Sequence, residues 1–146
     1  MTGLAHATVA EALAAAAATR HGIGTIEHDG RTSSLDYGPL LQDALTIAGS
    51  LVASGLRPGD RVAIVASEVG EFVRAFFGTS VAGLVPVPLC PPAQAGNLPT
   101  FARQSRHILA ASRAAAVLST TDVAPLLDVT ALGRDGQPIA ILTLDQ

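Results

Sequence analysis

Residues 55–92, GLRPGDRVAIVASEVGEFVRAFFGTSVAGLVPVPLCPP, constrain the fold more than any other part of the chain. Gly55 can take the left-handed conformation that ends a helix, Leu56 can supply the accompanying apolar contact, and Pro58 cannot continue the helix, so a helix stops here. Arg57-Pro58-Gly59-Asp60 then fits a type II turn, with proline at its second position and glycine at the third, where φ is positive. The turn feeds a strand over residues 61–67. Val62 to Ala66 is unbroken apolar sequence, the pattern of a strand covered on both faces, as in a parallel sheet with helices above and below. A helix is expected over residues 70–82. A second apolar strand follows over 85–89, and its Pro86 and Pro88 suit a sheet edge.

The flanks extend the same winding. Residues 8–20 read as a helix, because the alanine-rich run has strong propensity and Val9, Leu13 and Ala16 or Ala17 mark a buried stripe. Strands over 22–28 and 32–36 flank Asp29-Gly30, a hairpin signal, and make an antiparallel piece ahead of the parallel sheet. Gly22-Ile23-Gly24 precedes a strand, whereas a dinucleotide fingerprint must follow one. Asp36 is placed to cap the next helix. Pro39 sits in its first turn, and Leu40, Leu41, Ala44, Leu45, Ala48, Leu51 and Val52 are its apolar positions. Downstream, residues 91–99 form a loop, and 100–112 a helix with Phe101, Ser105, Ile108, Leu109 and Ser112 on its inner face. A buried strand over 114–118, a short helix over 123–127, a polar turn over 133–138 and a last strand over 139–144 complete the chain. The expected fold class is α/β: a mostly parallel sheet flanked by helices, with an N-terminal antiparallel hairpin.

A chain of 146 residues is one domain's worth. Hydrophobic residues are 49% and charged residues 14%, the latter against a usual ~25%, so there are too few charges to coat the whole surface. One apolar face is therefore expected to be covered, by the rest of a longer protein or by a second copy of this one. The net charge of -3 gives no electrostatic footprint for nucleic acid. Cys90 is the single cysteine, which excludes an internal disulfide and fits a reducing cytoplasm. Apolar runs stop well short of the ~18 residues of a membrane span, and the N-terminus does not read as a secretory signal. The expectation is a cytoplasmic protein.

Three segments, GLRPGDRV, EFVRAFFG and AGLVPVP, stand in this order within residues 55–88. In kind and order they resemble the N-terminal part of the adenylate-forming superfamily. The exit PVPLCPP most resembles the fatty acyl-AMP ligases, which often carry an aromatic where this chain has Cys90. SLDYGPLLQDALTIAGSLVASGL resembles the entry strand and helix of the same proteins, so the likeness covers roughly residues 25–120. It implies activation of a carboxylic acid with ATP, and magnesium, to an acyl-adenylate, followed by transfer to a thiol such as a carrier-protein pantetheine.

The candidate chemical groups are few. His6, His21, His28 and His107 lie on separate elements without HxxxH or CxxC spacing, so they read as solvated or locally bonded, and no metal-binding residues are assigned. Cys90 has no basic neighbour in sequence to lower its pKa and reads as a packed structural cysteine rather than a reactive thiol. Glu68 and Glu71 stand near a helix start, where the dipole stabilises carboxylates; no partner group marks them as an acid/base pair. Phe72, Phe76 and Phe77 read as a core stripe, with Gly78 allowing close backbone approach, or else as a wall of an acyl pocket. Arg103, Arg106, His107 and Arg113 form a basic face, either simply solvated or a dock for an acidic carrier protein.

Holding a triphosphate takes a glycine- and hydroxyl-rich loop with a lysine, and acidic groups for the metal. The chain contains no lysine, and Ser119-Thr120-Thr121 has no glycine beside it. No catalytic or cofactor-binding residues are therefore assigned. Residues 1–146 are expected to be a single α/β subdomain, the N-terminal portion of a larger acyl-adenylating ligase, inactive alone. A stand-alone binding or scaffold module of the same fold is the alternative. A small nucleotide-binding domain using the strand ends at Ser67, Cys90 and Ser119 is a third reading.

Overall fold

The computed structural model describes residues 6–26, 29–92, 98–129, 133 and 136–144. Helix α1 (Val9–Ala16) leads into the hairpin of β1 (Gly22–Ile26) and β2 (Thr32–Asp36), paired antiparallel from Gly22↔Asp36 to Ile26↔Thr32. Then come α2 (Tyr37–Ala53), β3 (Arg61–Val65), α3 (Val69–Val81), β4 (Val85–Pro88), α4 (Leu98–Ser112), β5 (Ala116–Ser119), a single 3-10 turn (Ala124–Leu126) and β6 (Ala140–Thr143). The second sheet has the order β4-β3-β5-β6, and every neighbouring pair in it is parallel. The α/β architecture read from the sequence is the one observed.

The turn before β3 forms as its residues dictate. Gly55 and Gly59 have φ of 91° and 87°, and the Asp60 N–H donates to the Arg57 carbonyl at 2.9 Å, closing the type II turn. The Asp60 carboxylate, nearly buried, accepts the Arg57 N–H at 2.9 Å and locks the corner. Val62, Ala63, Ile64 and Val65 are then fully buried, because β3 lies inside the sheet and both its faces are covered. Val62 and Ile64 pack with Leu118 against Leu51 of α2 and Ala75 of α3. Ala63 and Val65 pack with Val117 against Phe101 and Leu109 of α4. A third cluster joins Leu13 of α1 to Leu40 and Ala44 of α2, with Phe77 of α3 against it, and so attaches the N-terminal elements to the outside of the α2–α3 layer. Edge strand β4 accommodates Pro86 and Pro88, as expected.

Several boundaries and faces differ from expectation. Helix α1 ends at Ala16, where the Thr19 hydroxyl and N–H both bind the Ala16 carbonyl and tighten the chain into a turn. Its start is fixed by Thr8, whose hydroxyl accepts the Glu11 N–H at 3.1 Å, while the Glu11 carboxylate accepts the Ala7 N–H at 2.8 Å. Val9, Leu45, Val52 and Ile108 are exposed, because each helix is covered along one narrow stripe, Leu40-Ala44-Ala48-Leu51 in α2 and Phe101-Ser105-Leu109 in α4. Asp36 precedes α2 with extended backbone but makes no side-chain cap bond; it accepts from the Ser34 hydroxyl instead. Helix α4 begins at Leu98, inside the stretch read as loop, of which residues 93–97 lie outside the described residues, as do 27–28 of the first hairpin strand. Strand β5 is shifted to Ala116–Ser119, and the ends of β6 are trimmed by one residue each. No helix among the described residues is long and apolar enough to cross a membrane.

Candidate functional site

In this sheet the chain enters at β3, moves outward to β4 through α3, and returns past β3 to β5 through α4, which lies on the opposite face. Such a reversal leaves a crevice outside the carboxyl ends of the two strands that part company, here β3 and β5, and α/β folds bind ligands there. The residues leaving those strands are Ala66-Ser67-Glu68 and Thr120-Thr121-Asp122. The structure joins them: the Ser67 hydroxyl donates to Asp122 Oδ2 at 2.6 Å, across 55 residues of sequence. Behind this pair the Ser119 side chain is fully buried and its hydroxyl donates to the Thr120 carbonyl at 3.3 Å.

Asp122 is held below the usual carboxylate range, chiefly by the Ser67 hydroxyl and next by the side chain of Thr120. Thr120 Oγ1 is buried and makes no hydrogen bond of regular geometry, so we assign the main effect to the short Ser67 bond. A carboxyl whose pKa is depressed by folding stabilises the fold above its unfolded pKa, and that contribution is lost as the pH falls through the folded value. Ser67→Ala is therefore expected to raise the Asp122 pKa towards the ordinary range and to cost stability at neutral pH, with the difference from wild type vanishing in acid. Titration of the Asp122 side-chain carboxyl by NMR checks this, and an unchanged midpoint in Ser67→Ala would refute it.

Next to the pair, at the ends of β3 and β4, lies a cleft of ≈ 490 Å³. Val69, Phe72, Leu89 and Pro91 supply hydrocarbon walls, and Ser67, Glu68 and Cys90 the polar groups. A larger hollow of ≈ 620 Å³ between the β1–β2 hairpin and the start of α3 is a weaker candidate, because its charges are already matched. There Arg74 pairs with Asp43 at 2.9 Å, Arg31 pairs with Asp29, and Glu68 and Glu71 are also engaged.

The residues singled out in the sequence fall in separate places. Cys90 is a free, exposed thiol at the cleft, which corrects its reading as a packed cysteine; β4 ends two residues earlier, so its side chain is not held within the sheet. Glu68 and Glu71 stand at the start of α3 as expected. Phe76 and Phe77 meet edge-to-face at 5.8 Å and turn towards two different clusters, whereas Phe72 also reaches the cleft. Arg103, Arg106 and His107 are exposed on α4, with Arg106 3.8 Å from Asp128. Arg113 is not on that helix: it follows the last turn with φ of 51°, the position glycine usually takes. His6, His21 and His107 are exposed and distant in sequence, and no group of three possible metal ligands occurs among the described residues. Asp122 went unnoticed in the sequence, since its partner Ser67 comes near only through the strand order.

Comparison with known proteins decides the family. The model of the AMP-binding enzymes matches residues 12–146. The chain belongs to the AMP-binding enzyme family. It is 34% identical over 108 residues to a putative acyl-CoA synthetase of Caulobacter vibrioides, covering 73% of this chain and 19% of that protein. It is 35% identical over 113 residues to a long-chain-fatty-acid–AMP ligase of Mycobacterium tuberculosis, covering 77% of this chain and 18% of that one. A solved structure from a study of fatty acyl-adenylate ligases of E. coli and L. pneumophila superposes with a TM-score of 0.82 at 30% identity, covering 97% of this chain and 25% of that chain. This member of the AMP-binding family thus spans about a fifth to a quarter of the relatives it matches. The family uses ATP for adenylation.

Proposed function

We propose that residues 1–146 are the N-terminal portion of a fatty acyl-AMP ligase, which activates a carboxylic acid with ATP to acyl-adenylate for transfer to a carrier-protein thiol. The observation that carries this reading is the 0.82 superposition over 97% of the chain on a fatty acyl-adenylate ligase. Membership of an adenylating family disfavours the stand-alone scaffold reading.

The residues present do not fit ATP and magnesium by themselves. There is no lysine, the hydroxyl run 119–121 has no glycine beside it, and the charged groups at the switch point, Glu68 and Asp122, are carboxylates, which repel phosphates. Each missing donor of that kind costs roughly a hundredfold or more in rate. The expected result is no acid-dependent ATP–pyrophosphate exchange by the purified 146-residue chain, and exchange with long-chain acids by a longer protein that adds the phosphate-binding and lysine motifs to it. Exchange by the short chain would overturn the assignment of the chemistry to residues beyond it; absence of exchange in the longer protein would overturn the ligase reading. Arg103, Arg106 and His107 of α4 are the proposed contact for an acidic carrier, supported by their shared exposed face and the absence of any acidic residue in that helix. The exposed Leu45 and Val52 of α2 are the proposed cover site for the rest of the ligase chain or, in its absence, for a second copy.

A further inference from the structure

We propose that the outer edge of β6 is an interface between two copies of this chain, in which the two β6 strands pair antiparallel about a two-fold axis at Leu142. The inference stands on the edges of the parallel sheet and does not rest on the ligase reading. Along a strand, the N–H and C=O groups of successive residues point to alternate sides. In β4 the Val85 and Leu89 N–H groups donate inward, to the Asp60 and Ile64 carbonyls, so the residues facing outward are Pro86 and Pro88, which have no N–H to offer. That edge is blunted. In β6 the Leu144 N–H donates inward to the Ser119 carbonyl, so Ile141 and Thr143 face outward, each with a donor and an acceptor that no strand among the described residues meets. Ala140-Ile141-Leu142-Thr143 contains no proline or charge to guard such an edge. The backbone therefore asks for a strand. The β4 edge of a second copy lacks the donors to serve and would propagate a filament, whereas β6 against β6 closes a dimer. With Leu142 on the axis, Ile141 stands opposite Thr143 of the second copy, and each such pair exchanges both N–H···O bonds. The side chains agree with this pairing. Leu142 faces the side of the sheet that carries α2, where a groove of ≈ 430 Å³ opens between Ile47 of α2 and a floor of Leu118, Leu142 and Leu144. A two-fold axis perpendicular to the sheet keeps that face on the same side in both copies, so the grooves adjoin and Leu142 packs on its counterpart. No charged side chain lines the groove or belongs to β6, and the Thr46 and Ser50 hydroxyls, which also line it, are spent on the Gln42 and Thr46 carbonyls of their own helix. Two copies meet there without like-charge repulsion, and a charged partner finds nothing to pair with.

The test follows hydrogen exchange at the Ile141 and Thr143 amides of the purified chain, beside sedimentation equilibrium, from about 10 μM to about 1 mM. Both amides are expected to gain protection in step with dimer formation. Thr143→Pro copies the β4 edge: it removes an outward donor and leaves the ladder to β5 intact, so the dimer should weaken at least about tenfold. Val85→Lys on the opposite edge is expected to leave the association unchanged. A spin label on Cys90, exposed and the single cysteine of the chain, gives a measurement that needs no edge variant. The strand registers level Pro88 with Leu142 through Ile64 and Leu118, so Cys90 lies two residues past the level of the axis, beyond the far strand. Across about seven interstrand spacings of ~4.8 Å, and offset in opposite directions along the strands, the two labels should stand about 36 Å apart. A monomer at about 1 mM, a dimer in which residues 141 and 143 exchange freely, or labels closer than about 25 Å overturns the proposal, as does an equal effect of Thr143→Pro and Val85→Lys. Association through the exposed Leu45 and Val52 of α2 instead would leave the β6 amides unprotected and so counts against it. Activity of the longer protein in pyrophosphate exchange bears on the ligase reading alone, so the two fail separately.

Discussion

Replacing Ile64 by alanine is expected to remove about 3–4 kcal/mol of stability, the largest loss from any conservative change in the sheet. Ile64 is fully buried in β3 and belongs to one core cluster with Leu51, Ala75, Leu84 and Leu118, which come from four other parts of the chain. Neither neighbour can close the gap. The register fixes Ile64 between Pro88 on one side and Leu118 on the other, and the helices above are held by their own contacts. The lost methyl groups therefore leave a cavity rather than a collapse, and the cavity cost adds to the transfer term. Against a total of about 5–15 kcal/mol for a domain, this takes a large share of the folded population's margin. Val85→Ala on edge strand β4 is the control, since Val85 is 44% exposed and its loss should stay near about 0.5 kcal/mol. Urea unfolding of the two variants measures both, and comparable midpoint shifts would contradict the central position of β3.

The core of the sheet was legible because β3 and β5 are buried on both faces, and only continuous apolar sequence satisfies that environment. The turn at residues 57–60 was legible because proline and glycine act through backbone sterics that need no tertiary context. What the helices do with their flanks was not. Leu45 and Ala44 are adjacent apolar residues, yet one is 48% exposed and the other fully buried, since the width of a buried stripe is set by what packs on it and not by the helix itself. The site was the least legible part. Ser67 was recognisable as a strand end, but its pairing with Asp122 depends on β5 lying beside β3, a consequence of strand order that no local pattern encodes. Cys90 was misjudged for the same reason. A cysteine between apolar residues usually packs, but this one follows an edge strand and opens onto a cleft.

Gly78→Val is expected to cost about 3 kcal/mol, because it overpacks the contact between α2 and α3. Gly78 is buried in α3, and a Cβ placed on it would stand 2.5 Å from Ile47 Cγ2 and 2.7 Å from Ile47 Cβ, with the Ala44 carbonyl oxygen at 3.4 Å. A contact with the Cβ of Ile47 cannot be relieved by any change of side-chain rotamer, so the helices must separate. Separation would in turn loosen Leu51 and Ala75, which both helices place against Val62 and Ile64 of the central strand. The helix propensity gained on leaving glycine, at most about 1 kcal/mol, is too small to compensate. Shortening the opposing side chain tests the mechanism directly. In an Ile47→Gly background, which removes both clashing atoms, the valine should find room, so the double mutant is expected to be less destabilised than the sum of the single changes by about 1–3 kcal/mol. A purely conformational cost at position 78 would leave the two changes additive, and additivity in a double-mutant cycle would reject close helix packing as the reason glycine stands there.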